Sequence, residues 1–203
     1  MSPPKSWSLP MPAPDPVLDS EIKTNRTGSS LILNEINPEV FVSMEDVTLV
    51  NDDFIQILKE KARHTKNKRI RLCAHADAQD ALHEMIIVLL QSSYVPPHAH
   101  SGKSESFHMI EGQADVILFD SAGTPMRAIH LAPKEHPGHF YYRLGSERFH
   151  TIIPCSETVV FHETTNGPFR REHTVNASWA PNQDAPSTVI EDYINQLRRF
   201  AVS

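Results

Sequence analysis

The chain has 203 residues, a formal net charge of -6 and two cysteines. This length is enough to bury the core of one domain with extensions at its ends. The net negative charge argues against nucleic-acid binding, and the basic segment 61–71 is too short to reverse it. We therefore expect no nucleic-acid partner.

The sequence also lacks the patterns of membrane and secreted proteins. It has no run of about twenty apolar residues, and its first residues lack the charged-then-apolar order of a signal peptide. We therefore expect a cytoplasmic protein with no membrane partner. Cys73 and Cys155 form no CxxC pair, which predicts two free thiols in a reducing compartment.

Three segments follow one another along the chain. Residues 1–30 contain six prolines within the first sixteen positions, a composition that predicts a flexible tail because it buries too little apolar surface to offset chain entropy. Residues 31–180 are predicted to form one β-rich domain. Residues 181–203 are predicted to form a helical extension.

Two helices are predicted. The first begins after the N-cap oxygens of Asn51–Asp53, has apolar residues at helical spacing from Phe54 to Ala62, and ends among basic residues. The second spans 188–200, where Thr188–Glu191 has the spacing of a capping box. We expect this second helix to pack on the domain or on a second subunit.

Most of the remaining domain has the pattern of short strands separated by turn residues. The predicted strands are 39–43, 69–75, 83–91, 94–100, 105–111, 114–119, 127–131, 139–143, 148–153 and 157–163. Residues 120–123 supply a hairpin turn. So many strands with so little helix predict an all-β fold, a small antiparallel barrel or sandwich.

The segment 97–112 carries the pattern that points most directly to function. Side chains two apart on a strand share a face, so His98 and His100 can reach one metal ion. Glu105 follows after a turn at Gly102, and His150 would complete the set. Imidazoles with a carboxylate suit Fe, Mn, Ni, Co or Zn. The alternative is a chance HxH pair on a loop in a chain with twelve histidines.

The strand 69–75 alternates between polar and apolar residues. Arg69, Arg71, Cys73 and His75 share one face. Guanidinium groups turned into a barrel would need an anionic partner, such as a phosphate or carboxylate of a substrate. The alternative is a solvated edge strand with ordinary surface arginines.

Three other polar residues remain open to interpretation. His83 and His108 lie in predicted strands, where histidines more often make structural hydrogen bonds than bind metal. Glu163 precedes a turn, and the sequence leaves open whether its side chain points into the site or caps that turn.

These residues resemble a known family. The segment His98–Gly112 is similar to the first cupin motif, which is HxH, four residues, Glu, six residues and Gly. His150 stands where the second motif has its histidine. More narrowly, the chain resembles the WbuC-type cupin-fold metalloproteins over about residues 38–170, in the segments 71–75, 83–85, 94–100, 103–107, 119–123 and 163–169.

The resemblance implies a cupin double-stranded β-helix barrel, flanked here by the two predicted helices. It also implies a divalent ion inside the barrel, held by His98, His100, Glu105 and His150, and a homodimer. The sequence departs from the second motif, which usually has Pro-x-Gly before its histidine, because residues 144–149 lack it.

The sequence leaves three functions open. The first is a metal-dependent cupin enzyme, an oxygenase or isomerase, with Fe, Mn, Ni or Zn and with Arg71, Lys103 and His75 binding a small polar, anionic or sugar-derived molecule. The second is a non-catalytic small-molecule-binding module with a structural metal. The third is a metal-independent sugar isomerase or epimerase that uses histidines in acid-base roles.

Overall fold

The computed structural model of the protein describes residues 20–23 and 30–202. Its helices are α1 (Asp52–His64), a short 3-10 helix (Arg171–His173) and α2 (Ser187–Ala201). Its strands are β1 (Ser20–Lys23), β2 (Ser30–Asn37), β3 (Val40–Ser43), β4 (Arg69–Cys73), β5 (Leu82–Leu90), β6 (His98–His100), β7 (Glu105–Glu111), β8 (Ala114–Phe119), β9 (Pro125–Leu131), β10 (Tyr141–Leu144), β11 (His150–Pro154), β12 (Thr158–Asn166) and β13 (Thr174–Asn176).

The strands β5 to β12 form a barrel of two facing sheets. One sheet contains the order β5-β12-β7-β10, and the other contains β6-β11-β8-β9, with antiparallel neighbours throughout. This order is that of the double-sheet jelly roll, to which cupins belong. The predicted all-β fold, a cupin double-stranded β-helix barrel with two added helices, is therefore confirmed.

The barrel core lies between the two sheets. On β12, Val159 and Phe161 face this core, while Val160 faces the opposite side of the sheet, as the alternation of a strand requires. The core consists of apolar side chains from both sheets, which are Cys73, Met85, Ile87, Leu89, Phe107, Met109, Ala114, Val116, Leu118, Leu131, Tyr142, Leu144, Ile152, Val159 and Phe161.

Helix α1 covers the outer face of the larger sheet. Asn51 is its N-cap, as predicted, because the Asn51 side-chain oxygen accepts a hydrogen bond from the backbone N–H of Phe54 at 2.9 Å. Its buried face joins a second apolar cluster with β2, β3, β4 and β5. This cluster explains why β2, which the sequence analysis did not predict, is held against the barrel by Leu31 and Leu33.

Helix α2 covers the outer face of the smaller sheet, where Ile194 and Leu197 pack with Ile117 and Ile153. The predicted C-terminal helix is confirmed, and it packs on the domain. The predicted capping box is wrong. The backbone carbonyl of Pro186 accepts the first turn's hydrogen bonds, so the helix begins at Ser187 without a side-chain cap. Among the described residues, neither helix has the length and apolar composition needed to span a membrane.

The predicted flexible N-terminal tail, residues 1–30, includes a short segment that the structure describes. Within the segment predicted to be a flexible tail, Ser20–Lys23 forms β1 and pairs with β2. Residues 1–19 and 24–29 of that prediction lie outside the described residues. The sequence analysis also missed β13, a three-residue strand that pairs with β6 and thereby borders the metal-ligand segment.

Candidate metal centre

The structure brings the four predicted metal ligands together. His98 and His100 lie on β6, Glu105 begins β7 and His150 begins β11. The register of β11 and β6 places His150 directly opposite His98. One side-chain ligand atom from each of the four residues lies within 4.8 Å of every other. The predicted constellation is therefore a spatial cluster inside one end of the barrel.

Two inward atoms of this cluster, Glu105 Oε1 and His150 Nε2, lack a hydrogen-bond partner among the described residues. Glu105 Oε1 lies 2.8 Å from His150 Nε2, and both side chains are 3% exposed. The two atoms nevertheless lack hydrogen-bond geometry, and each is buried without another partner. Glu105 Oε2 lies 3.4 Å from His100 Nε2. Because buried polar atoms are normally satisfied, atoms that converge without bonding one another fit a shared cation.

The outward nitrogens of the imidazoles are held by other groups. The Nδ1 atoms of His98 and His150 each lie 2.9 Å from the backbone carbonyl two residues earlier. A carbonyl only accepts, so these Nδ1 atoms donate, and in the neutral imidazole that binds a metal the Nε2 atom carries the lone pair. His100 Nδ1 lies 3.2 Å from the hydroxyl of Thr174 on β13. Metal-binding histidines are oriented in the same way.

The protonation states suit a cation. Burial, assisted by the positive charge of His150, lowers the pKa of His98 to about 4, so its imidazole is neutral at pH 7. Burial acts to raise the pKa of Glu105, but contacts with His100 and His150 outweigh it and lower that pKa. Burial acts to lower the pKa of His150, and contact with Glu105 outweighs it and raises that pKa. The buried carboxylate is thus charged and ready to bind a metal.

Glu163 points toward the site, which resolves the question that the sequence left open. It shares the inward parity of Val159 and Phe161 on β12 and lies between Met85 and Phe107 of the neighbouring strands. Burial, and then the negative charge of Glu105, raises the pKa of Glu163 to about 7. This carboxyl group can therefore gain or lose a proton near neutral pH.

Tyr142 is a polar group of the interior that the sequence analysis missed. It lies on β10 opposite Phe107 of β7, and among the described residues its buried hydroxyl has no hydrogen-bond partner. Burial, and then the negative charge of Glu105, raises its pKa, so the phenol stays protonated. Its inward direction depends on the pairing of β10 with β7, and no local pattern in the sequence reveals it.

The three predicted substrate-binding residues lie outside the four-residue cluster. Arg71 is exposed, and its charge acts to lower the pKa of Glu163. Lys103 Nζ donates to the backbone carbonyl of Pro168 at 2.9 Å. His75 stacks on His83 with ring centroids 4.0 Å apart. Their role in binding a substrate stays a prediction.

The edge-strand alternative for residues 69–75 is wrong, because β4 lies between β3 and β5. Arg69 is partly buried there and lies 3.4 Å from Glu39 Oε2, so its partner is internal. His83 and His108 lie outside the metal cluster. Cys73 and Cys155 are both free thiols, as predicted.

Three imidazoles and one carboxylate leave further positions open around a divalent ion that takes five or six ligands, whereas they complete a tetrahedral zinc site. An ion held in this way can bind water or a substrate oxygen while the protein ligands fix its place. The presence of Glu163 and Tyr142 on the same inner face adds a proton carrier and a hydrogen-bond donor to this end of the barrel.

One family model and several solved structures match parts of this chain. A family model described as Domain of unknown function (DUF6016) matches residues 50–131, a stretch that includes His98, His100 and Glu105 but ends before His150. No curated protein matches the chain.

Several solved structures are similar in part. A protein from Shewanella oneidensis is 7% identical, with a TM-score of 0.44 over 62% of this chain and 77% of that one. The DMSP lyase DddQ from Ruegeria pomeroyi is 15% identical, with a TM-score of 0.42 over 56% of this chain and 54% of that one. A mutant oxalate decarboxylase from Bacillus subtilis is 20% identical, with a TM-score of 0.39 over 48% of this chain and 24% of that one. The assignment of the cupin fold rests on the strand order of the barrel.

Proposed function

We propose that the protein is a metal-dependent cupin enzyme of the WbuC-like type that acts on a small polar molecule, anionic or derived from a sugar. The observation that carries this proposal is the convergence of three imidazoles and one carboxylate inside the barrel, where Glu105 Oε1 and His150 Nε2 have no hydrogen-bond partner among the described residues. A divalent Fe, Mn, Ni or Zn ion at this place would polarise a substrate oxygen as a Lewis acid.

The protein's own residues supply the remaining chemistry. Glu163, with a pKa raised to about 7 by burial and by Glu105, is suited to take a proton from a bound molecule or return one. The buried hydroxyl of Tyr142 has no hydrogen-bond partner within the part of the chain that the structure describes, so it can donate one to a developing negative charge. Both are candidate catalytic groups.

The binding of an anionic substrate is assigned to Arg71, Lys103 and His75. Arg71 is exposed, so an anion can reach its guanidinium group, and its charge is felt at Glu163 in the interior. An anion held between this guanidinium and the metal would have its reacting part close to Glu163. Lys103 can exchange its contact with a backbone carbonyl for a substrate oxygen.

Glu163 and Tyr142 distinguish this function from a binding module with a structural metal. A structural site needs ligands and a packed surround, and it gains nothing from a carboxyl group whose burial raises its pKa. In a metal-independent isomerase, Nε2 of His98 or His150 would exchange the proton while Nδ1 is held by a backbone carbonyl. Ligand binding would then be the same with and without metal, which separates that function from the proposed one.

A ligand screen on separate metal forms tests the proposal. The protein is purified without a histidine tag, stripped with a chelator and reloaded with Fe, Mn, Ni or Zn. Each form is then screened by thermal shift against small carboxylates, sugars and sugar phosphates. We expect a ligand that raises Tm only in a metal-loaded form, because binding to the folded state alone stabilises it.

Matched variants sharpen the screen. His98→Ala should abolish both metal loading and the ligand-induced shift, whereas His64→Ala, on the exposed end of α1, should change neither. Arg71→Ala should retain the metal and weaken the anionic ligand. A protein that refuses all four metals, or a ligand that stabilises the metal-free form equally well, would contradict the proposal.

We further propose that the protein acts as a cytoplasmic homodimer, as the resemblance to cupins implies. Light scattering coupled to size-exclusion chromatography measures the mass in solution directly. A mass of twice 22.9 kDa is expected, and a mass equal to that of a single chain would contradict the dimer.

A further inference from the structure

A second group of metal-ligand side chains lies on the outside of the barrel. Asp115 on β8 and His130 on β9 are direct cross-strand partners. Cys155 follows the end of β11, the strand on the other side of β8. One carboxylate oxygen, one ring nitrogen and the sulfur lie within 4.8 Å of one another. The three side chains thus meet on one face of three adjacent strands.

This group is separate from the metal centre inside the barrel. On β8, Ala114 and Val116 face the barrel core, so Asp115 between them faces the opposite side of the sheet. Ile153, two residues before Cys155, packs on the same outer side in the cluster beneath α2. The sheet itself therefore stands between the two groups, and each can be changed without touching the other.

The backbone already holds the three residues in place. The Cys155 N–H donates to the carbonyl of Gln113 at 2.8 Å. His130 is tied to His139, whose N–H donates to the His130 carbonyl at 3.0 Å. Gly138 packs so closely on the His130 ring that an added Cβ would lie 3.0 Å from its Cδ2 atom. The group therefore has little conformational freedom left to lose when a ligand binds.

The contacts inside the group define its donor atoms. Asp115 Oδ1 lies 2.7 Å from His130 Nδ1, and the Cys155 thiol donates to Asp115 Oδ2 at 3.3 Å. The His130 ring proton and the Cys155 thiol proton in these contacts lie between the atoms that would bind a metal, and a cation would replace them. The side chain of Asp115 is only 14% exposed, whereas His130 and Cys155 reach solvent. A metal could therefore enter from outside and keep a solvent-facing position.

We propose that Asp115, His130 and Cys155 form a second divalent-metal site on the outer surface of the barrel, selective for zinc-like ions. A thiolate together with an imidazole and a carboxylate is a donor set of zinc sites, and the sulfur disfavours Mg and Ca. The three protein ligands leave the fourth tetrahedral position to water.

A nucleophilic role for Cys155 fits the structure less well. Burial, and then the neighbouring Asp115 carboxylate, raises the pKa of Cys155 to about 12, so the metal-free thiol is not a nucleophile at neutral pH. The positive charge of Arg198 acts to lower the pKa of Cys155. The guanidinium Nη2 of Arg198 donates a hydrogen bond to the Pro154 carbonyl at 3.3 Å. A bound cation would add to that positive charge and displace the thiol proton.

Cobalt spectroscopy tests this site separately from the interior one. The interior cluster has no sulfur ligand, so a thiolate-to-cobalt charge-transfer band in the near ultraviolet can report only a cysteine site. Metal-stripped protein is titrated with Co²⁺ under reducing conditions. We expect this band in the wild type and in His98→Ala, and its complete loss in Cys155→Ala. Binding of zinc by equilibrium dialysis should fall by about one equivalent in Cys155→Ala.

Further variants keep the result interpretable. Cys73→Ala removes the buried thiol of the barrel core and should leave the band unchanged. His130→Ala changes an exposed residue and should weaken cobalt binding at least tenfold. Circular dichroism confirms folding of each variant. The proposal is overturned by a wild type without the band at saturating Co²⁺, by a band that persists in Cys155→Ala, or by one that depends on Cys73 instead. None of these outcomes bears on the interior metal centre.

Discussion

Replacement of Glu163 by glutamine should change how stability depends on pH. The pKa of Glu163 is raised from 4.5 to about 7 by burial and by the charge of Glu105. A folded-state pKa above the unfolded value means that the folded state binds the proton more tightly. Protonation of Glu163 therefore stabilises the folded state fully below pH 4.5, and this stabilisation is lost as pH rises toward 7. The difference between these two pKa values corresponds to a loss of at most roughly 3 kcal/mol in the free energy of unfolding at pH 8.

Urea denaturation of the chelator-treated protein between pH 4.5 and 8.5 measures this effect. The free energy of unfolding of Glu163→Gln, relative to the wild type, should rise with pH by about 1–3 kcal/mol across this interval, because the amide stays neutral. Titrating groups that Glu163 does not influence are common to both proteins and cancel. The charge of Glu163 also acts to raise the pKa of His150, so the measured change includes this neighbour. Glu172→Gln, at an exposed carboxylate, should show no such rise. Parallel profiles for the wild type and Glu163→Gln would refute the raised pKa.

Two further predictions concern the fold around the site, and chemical denaturation tests both. Gly112 and Gly102 both have positive φ, so alanine at either costs about 1 kcal/mol. A Cβ at Gly112 would also lie 2.1 Å from the Thr158 carbonyl oxygen, whereas one at Gly102 meets nothing within 4 Å, so Gly112→Ala should cost about 2 kcal/mol more. Equal costs would contradict this close approach. Asn51→Ala should lower the free energy of unfolding by about 1 kcal/mol, because it removes the hydrogen bond from the Phe54 N–H. Asn51→Asp retains an oxygen acceptor and should not. An unchanged denaturation midpoint for Asn51→Ala would contradict this prediction.

The metal centre could be predicted from the sequence because its ligands lie close to one another along the chain. His98 and His100 share a strand face by spacing alone, and Glu105 follows one turn later. His150 was predicted to complete the set, but its place opposite His98 depends on a strand pairing that spans about fifty residues. The spacing of residues within one strand determines which side chains share a face. The pairing of strands that are distant in sequence is known only from the folded sheet.

Groups that depend on long-range register could not be predicted. Tyr142 faces inward only because β10 pairs with β7 in one register. The outer group brings Asp115, His130 and Cys155 together through two separate strand pairings. The capping box predicted at Thr188 is wrong for a local reason, because Pro186, two residues earlier, supplies the first carbonyl of α2.

Anomalous diffraction from crystals of protein equilibrated with Fe, Mn, Ni or Zn tests the interior metal centre most directly. We predict a peak inside the barrel, about 2.0–2.2 Å from the Nε2 atoms of the three histidines and from a carboxylate oxygen of the acid. The ligands to that peak are His98, His100, Glu105 and His150. The absence of a peak among the four side chains, in crystals saturated with each of these metals in turn, would contradict the interior metal centre.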